Sequence, residues 1–102
     1  MTEDASIEAA RNGRLVVRGT VTFTTVPRLY EQSRSLFRGD ADMIVDLRGV
    51  ERADSAGLAL LVEWMREARR NERSVRFVNM PHQMLAIARV SSLDQVLPLS
   101  RD

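Results

Sequence analysis

The sequence has no cysteine, no lysine and a single histidine, His82. Without cysteine there are no disulfides and no thiolate metal sites. Without lysine there is no P-loop phosphate grip and no Schiff-base chemistry. One histidine rules out metal sites built on paired imidazoles, and any Ser-His-Asp triad would have to use His82. The five glycines, Gly13, Gly19, Gly39, Gly49 and Gly57, are scattered, so no glycine-rich loop cradles a phosphate. Long apolar runs are also missing. The longest, Ala56 to Met65, contains Glu63 and is about half of the roughly 20 residues that span a bilayer. The opening Met1-Thr2-Glu3-Asp4 is acidic and polar, unlike a secretory signal. These gaps point away from an enzyme, a metalloprotein and an integral membrane protein.

What is present suits a globular fold. The 102 residues are enough for a single domain, 1–102, with one core. Apolar residues make up 44% of the chain, and fifteen arginines nearly balance fourteen acids, for a net charge of +1. The absence of cysteine is consistent with a cytoplasmic location.

Ile7 and Ala9, then Asn12-Gly13, then Leu15-Val16-Val17 predict an N-terminal hairpin. Thr24 or Thr25 can cap a helix with Pro27 in its first turn, and Val26, Leu29, Tyr30, Ser33, Leu36 and Phe37 share one of its faces. Gly39 sits where a helix end favours positive φ. The near-continuous apolar run Met43-Ile44-Val45-Asp46-Leu47 predicts a covered central strand. A second helix, carrying Leu58, Leu61, Val62, Met65 and Ala68, is expected to reach about Arg70. A strand around Val75 and Phe77, a helix opened by Pro81, and a short edge segment at Val96 to Leu99 complete the chain. The order β-β-α-β-α-β-α predicts an α/β fold: a mixed sheet of four to five strands with about three packed helices.

The loop before the second helix reads Ala53-Asp54-Ser55-Ala56-Gly57-Leu58. Asp54 or Ser55 is the expected N-cap. A helix N-terminus has free N–H groups and partial positive charge, so a phosphate on Ser55 is expected to sit favourably there, while adding negative charge beside Asp54. Gly57 would let a partner's backbone approach closely; the plain alternative is that Ser55 is only a cap and Gly57 only a packing residue. Leu60 and Trp64, four residues apart, lie off the main apolar arc of this helix. They either pack under a neighbouring helix or face a partner, and tryptophan is common at interface hot spots.

The strand, turn and helix resemble the STAS domain, the fold of anti-sigma-factor antagonists and of the C-terminal part of sulfate transporters. The signature is an apolar strand ending in Asp-Leu, here Ile44-Val45-Asp46-Leu47, then Asp-Ser/Thr-x-Gly-Leu, here Asp54-Ser55-Ala56-Gly57-Leu58. Within the family, Leu15 to Gly19, Asp54 to Leu61 and Val96-Leu97-Pro98 are similar to the stand-alone STAS subunit of the bacterial Mla phospholipid ABC transporter. That resemblance implies a non-catalytic, cofactor-free cytoplasmic subunit, peripheral to the inner membrane. It would bind the transporter's ATPase, in a complex with a permease and a periplasmic lipid-binding protein, to support phospholipid movement between inner and outer membranes and hence outer-membrane lipid asymmetry. Its implied ATPase-binding surface is Asp54, Ser55, Ala56 and Gly57, with Leu60 and Trp64 as candidate extensions.

The alternative within the family is an anti-sigma-factor antagonist switched by phosphorylation of Ser55. Antagonists usually follow the second strand with Gly-x-hydrophobic-Asp, whereas this chain has Gly19-Thr20-Val21-Thr22, with no acid. The remaining charged features suggest no other chemistry. Arg66, Arg69, Arg70, Arg73 and Arg76 alternate with Glu63, Glu67 and Glu72, which predicts a solvated, salt-bridged face rather than a nucleic-acid surface. Asp46 and Asp54 have no histidine or lysine near them in sequence, and His82 reads as a surface residue.

Overall fold

The computed structural model describes residues 4–39 and 41–100. Among them are five strands, β1 (Ala5–Ala9), β2 (Arg14–Val21), β3 (Met43–Ala53), β4 (Val75–Val78) and β5 (Leu99–Ser100). The three α-helices are α1 (Val26–Leu36), α2 (Ser55–Arg70) and α3 (His82–Val90), and short 3₁₀ turns cover Arg11–Gly13 and Leu93–Gln95. The sheet order is β1-β2-β3-β4-β5. β1 and β2 are antiparallel, with Ile7 opposite Val17, and every later pairing is parallel. This is the predicted mixed sheet, and the apolar run Met43–Leu47 lies in its central strand.

The hairpin forms where the sequence placed it. Asn12 (φ 65°) and Gly13 (φ 72°) are both left-handed, as a tight turn between twisted strands requires. Alternation then divides the sheet. Leu15, Val17, Val45, Leu47 and Phe77 are buried in the core with residues from all three helices. Arg18 and Arg76 are exposed on the other face, and Val16, Ile44 and Asp46 are half-buried.

Helix α1 has the predicted face, with Leu29, Ser33 and Phe37 buried. Its start differs from expectation. The Thr25 hydroxyl does not cap the helix; it donates to the Thr20 carbonyl (2.7 Å) and accepts from the Thr22 N–H (3.0 Å). The hydroxyl is used to close the turn leaving β2.

Trp64 is a core residue, which corrects its assignment to the partner surface. It is 0% exposed, and Leu60 is also buried. The indole N–H donates to the Ser33 hydroxyl at 2.8 Å, and the ring stacks on Phe37 with centroids 5.5 Å apart. The Ser33 hydroxyl in turn donates to the Tyr30 carbonyl (2.7 Å). Helix α2 buries two arcs because the sheet covers one and α1 covers the other.

The arginine-rich stretch is largely the solvated face expected. Glu63 pairs with Arg70 (3.3 Å) and lies 4.0 Å from Arg66. Arg73 departs from it. Its side chain is buried and donates to the carbonyls of Ala41 and Phe37, bracing the connection from α1 to β3. Among the described residues no helix is long and apolar enough to cross a membrane.

Candidate functional site: the junction of β2, β3 and helix α2

Strands β2 and β3 run parallel and end together, Val21 beside Ala53. From this shared edge one chain turns into α1 and the other into α2. Asp54 joins the two turns. Its Oδ1 accepts from the N–H groups of Ala56 (2.9 Å) and Gly57 (3.2 Å). Its Oδ2 accepts from the N–H of Phe23 (3.0 Å), and its own N–H donates to the Val21 carbonyl (3.3 Å). Asp54 is therefore the N-cap of α2 and also a tie to the β2–α1 turn.

This arrangement changes the reading of Ser55. Ser55 is exposed at the first position of α2, where a partner or a modifying enzyme can reach it. However, the Ala56 and Gly57 N–H groups are already held by the Asp54 side chain, and Leu58 N–H donates to the Asp54 carbonyl. A phosphate on Ser55 would find those donors occupied and would stand beside a carboxylate. Its effect would be on what docks there, not on the strength of the cap.

Gly57 is buried, which corrects its assignment as a point of approach for a partner. A Cβ on Gly57 would lie 2.5 Å from the Val21 carbonyl oxygen and 3.3 Å from the Ala53 Cβ. The absent side chain lets α2 start directly against the ends of β2 and β3. Of the six proposed surface residues, Asp54, Ser55 and half-buried Ala56 share the outer junction, Leu60 contributes a groove wall, and Gly57 and Trp64 face inward.

Three features had not been read from the sequence. The first is Phe23, whose side chain is 81% exposed in the β2–α1 turn. The signal was available: it is an aromatic residue outside both the strand alternation and the helical stripe. The second is a shallow apolar groove walled by Val26, Pro27 and Tyr30 of α1 and by Ala56, Ala59 and Leu60 of α2, with Glu63 at its margin. The third is Gln83, whose side-chain amide accepts from the Ala53 N–H (2.9 Å) and donates to the Ala53 carbonyl (2.8 Å), pinning α3 to the end of β3. No sequence period marks such a contact.

Asp46 lies away from this junction and has a structural role. Its carboxylate accepts from the Arg48 N–H (2.9 Å), the Asn79 amide (3.2 Å) and the Arg14 guanidinium (3.3 Å). Partial burial alone would raise its pKa, but these donors outweigh burial and hold it below the usual 3.8. A depressed carboxyl stabilises the fold fully above its unfolded pKa, and that stabilisation is lost as pH falls through the folded value. Asp46→Asn is accordingly expected to be less stable than wild type at pH 7 and to lose less stability between pH 4 and pH 2. Urea midpoints across that range measure both effects, and parallel wild-type and variant curves would exclude the role.

Among the described residues no group of three or more His, Asp or Glu side chains could hold a metal ion. The junction offers an exposed hydroxyl, a rigid turn and an apolar groove, which together suit recognition of another protein.

Comparison with known proteins agrees with this fold. A search of curated proteins gives no significant match. Among solved structures, the fold is similar to an anti-sigma-factor antagonist (STAS) domain protein from Planctomyces limnophilus, with TM-score 0.78, 17% identity, and 96% of this chain and 92% of that one covered. It is also similar to an anti-sigma factor antagonist from Mycobacterium paratuberculosis (TM-score 0.74, 22% identity, 96% and 85% covered). A third similar structure is the antagonist SpoIIAA in its unphosphorylated form (TM-score 0.74, 15% identity, 97% and 88% covered). At these identities the likeness is one of fold. The sequence model of the family described as "Mlab, STAS domain" matches residues 6–99. That match spans the whole sheet apart from its first and last residues and includes the capped turn at Asp54, so the chain belongs to the STAS domain family.

Proposed function

We propose that this chain is a non-catalytic accessory subunit of an ABC transporter that moves phospholipid between the inner and outer membranes. In this reading it sits on the cytoplasmic side, peripheral to the inner membrane. It binds the ATPase subunit through the surface around Ser55 and meets the permease and the periplasmic lipid-binding protein only through the complex. The observation that carries the reading is the Mlab-type family match across residues 6–99. The site supports it: an exposed serine beside an apolar groove is a recognition surface.

Co-purification with the ABC-transporter ATPase of the same organism tests the assembly, and failure to bind it would end this reading. A titration then tests the surface. Ser55→Glu is expected to weaken ATPase binding at least about tenfold, because it puts a charge beside Asp54. Ser55→Ala is expected to stay within about threefold of wild type. Wild-type affinity in both variants would place the interface elsewhere.

The exposure of Ser55 at the first position of α2 also favours a second reading, an anti-sigma-factor antagonist phosphorylated on Ser55. Thr22 stands where antagonists usually carry an acid, and its N–H is held by Thr25. Incubation with a candidate anti-sigma kinase and ATP, followed by mass spectrometry, separates the two. Stoichiometric phosphate on Ser55 would favour the antagonist.

A further inference from the structure

The most exposed aromatic ring among the described residues is on the turn that Asp54 ties to the start of α2. Phe23 is 81% exposed, and a phenyl ring in water forgoes about 1.5 to 3 kcal/mol of burial. The turn under it is not loose. Phe23 N–H donates to Asp54 Oδ2, Thr22 N–H donates to the Thr25 hydroxyl, and the N–H groups of Thr25 and Val26 both donate to the Thr22 carbonyl. The ring is thus held outward on a rigid support, which reduces the ordering cost of binding.

We infer that Phe23 is the anchor of the docking surface and inserts into an apolar pocket on the ATPase subunit, with Asp54 as the positioning residue that aims it. The inference rests on the ATPase-binding reading above and adds the contact that gives it affinity. Asp54 carries the coupling, since one oxygen caps the helix bearing Ser55 while the other holds the backbone of Phe23. Charge selects the class of partner. The acid Asp54 holds the backbone that carries the ring, and Glu63 is the one charged side chain lining the neighbouring groove. A single ring on a turn held by one acid, next to a groove whose one charged side chain is another, is poorly matched to an anionic lipid surface and well matched to a protein pocket with an apolar floor.

The test uses the full chain and the purified ATPase subunit, titrated by biolayer interferometry. Phe23→Ala is expected to weaken binding about 30-fold while the melting temperature stays within about 2 °C of wild type. Phe23→Leu should recover most of the loss. Asp54→Ser keeps a good N-cap, but its single hydroxyl cannot also hold Phe23. It should weaken binding about fivefold in the wild-type background and have almost no effect in the Phe23→Ala background. A purely structural role for Asp54 would give the same loss in both backgrounds and would overturn the positioning claim. Wild-type binding by Phe23→Ala, with Ser55→Glu still weakened, would overturn the anchor and leave the docking reading intact. No ATPase binding by the wild-type chain would remove the docking reading itself. If Phe23→Ala instead abolished self-association, or binding to phosphatidylglycerol vesicles, with ATPase affinity unchanged, the occupant would be a second copy or a membrane and the inference would be wrong.

Discussion

Trp64→Ala is expected to lower the unfolding free energy by about 3 to 5 kcal/mol. A domain of this size has about 5 to 15 kcal/mol in all, so from about a fifth to all of the stability is lost. Three losses combine. The indole leaves a cavity between α1 and α2, Phe37 loses its stacking partner, and the Ser33 hydroxyl loses the donor it accepts from. At roughly 4 to 8 °C per kcal/mol, the melting temperature should fall by more than about 12 °C. Trp64→Phe keeps a ring against Phe37 and removes only the N–H and some volume, so about 1 to 2 kcal/mol is expected. Urea denaturation of both variants checks the series. An unchanged midpoint for Trp64→Ala, with weakened ATPase binding, would return the tryptophan to the partner surface.

Gly57→Ala pits two effects of opposite sign against each other. Helix propensity alone favours alanine by about 1 kcal/mol. The new methyl, however, would sit 2.5 Å from the Val21 carbonyl oxygen and 3.2 Å from the Val21 Cγ1. The first is backbone and cannot swing aside, so α2 must shift from the sheet edge, and overpacking of this kind costs about 1 to 3 kcal/mol. A net loss of about 1 to 2 kcal/mol is expected, measured by thermal or urea unfolding. Because the shift pulls Asp54 from Val21 and Phe23, the proposed ATPase binding should weaken as well. Stabilisation by about 1 kcal/mol would mean that the start of α2 has room and that propensity decides.

Much of the architecture was legible because its causes are local. Asn12-Gly13 makes a turn because both residues tolerate positive φ. Asp54 caps α2 because a short carboxylate beside a helix start reaches the first N–H groups. The apolar run at Met43–Leu47 marks a central strand because only a covered strand needs it. The site was legible in part. Asp54 and Ser55 stood out as a capped helix start, but the second bond of Asp54, to Phe23 thirty-one residues earlier, has no trace in local spacing. Arg73 likewise reads as one more solvated arginine until the backbone carbonyls of Ala41 and Phe37 are brought around it.

Periodicity, turn chemistry and capping act over a few residues, so the sequence by itself determined the order of strands and helices, the central strand and the start of α2. It also determined what the chain cannot do, since an absent cysteine or lysine is absent in any fold. Only the tertiary structure decided the direction in which side chains outside the main stripe point. Trp64 lies inward because α1 crosses over it, Gly57 is required because the end of β2 passes beneath it, and Phe23 stands exposed on a turn whose backbone Asp54 holds. Each depends on segments distant in sequence, and such contacts exist only once the sheet has brought those segments together.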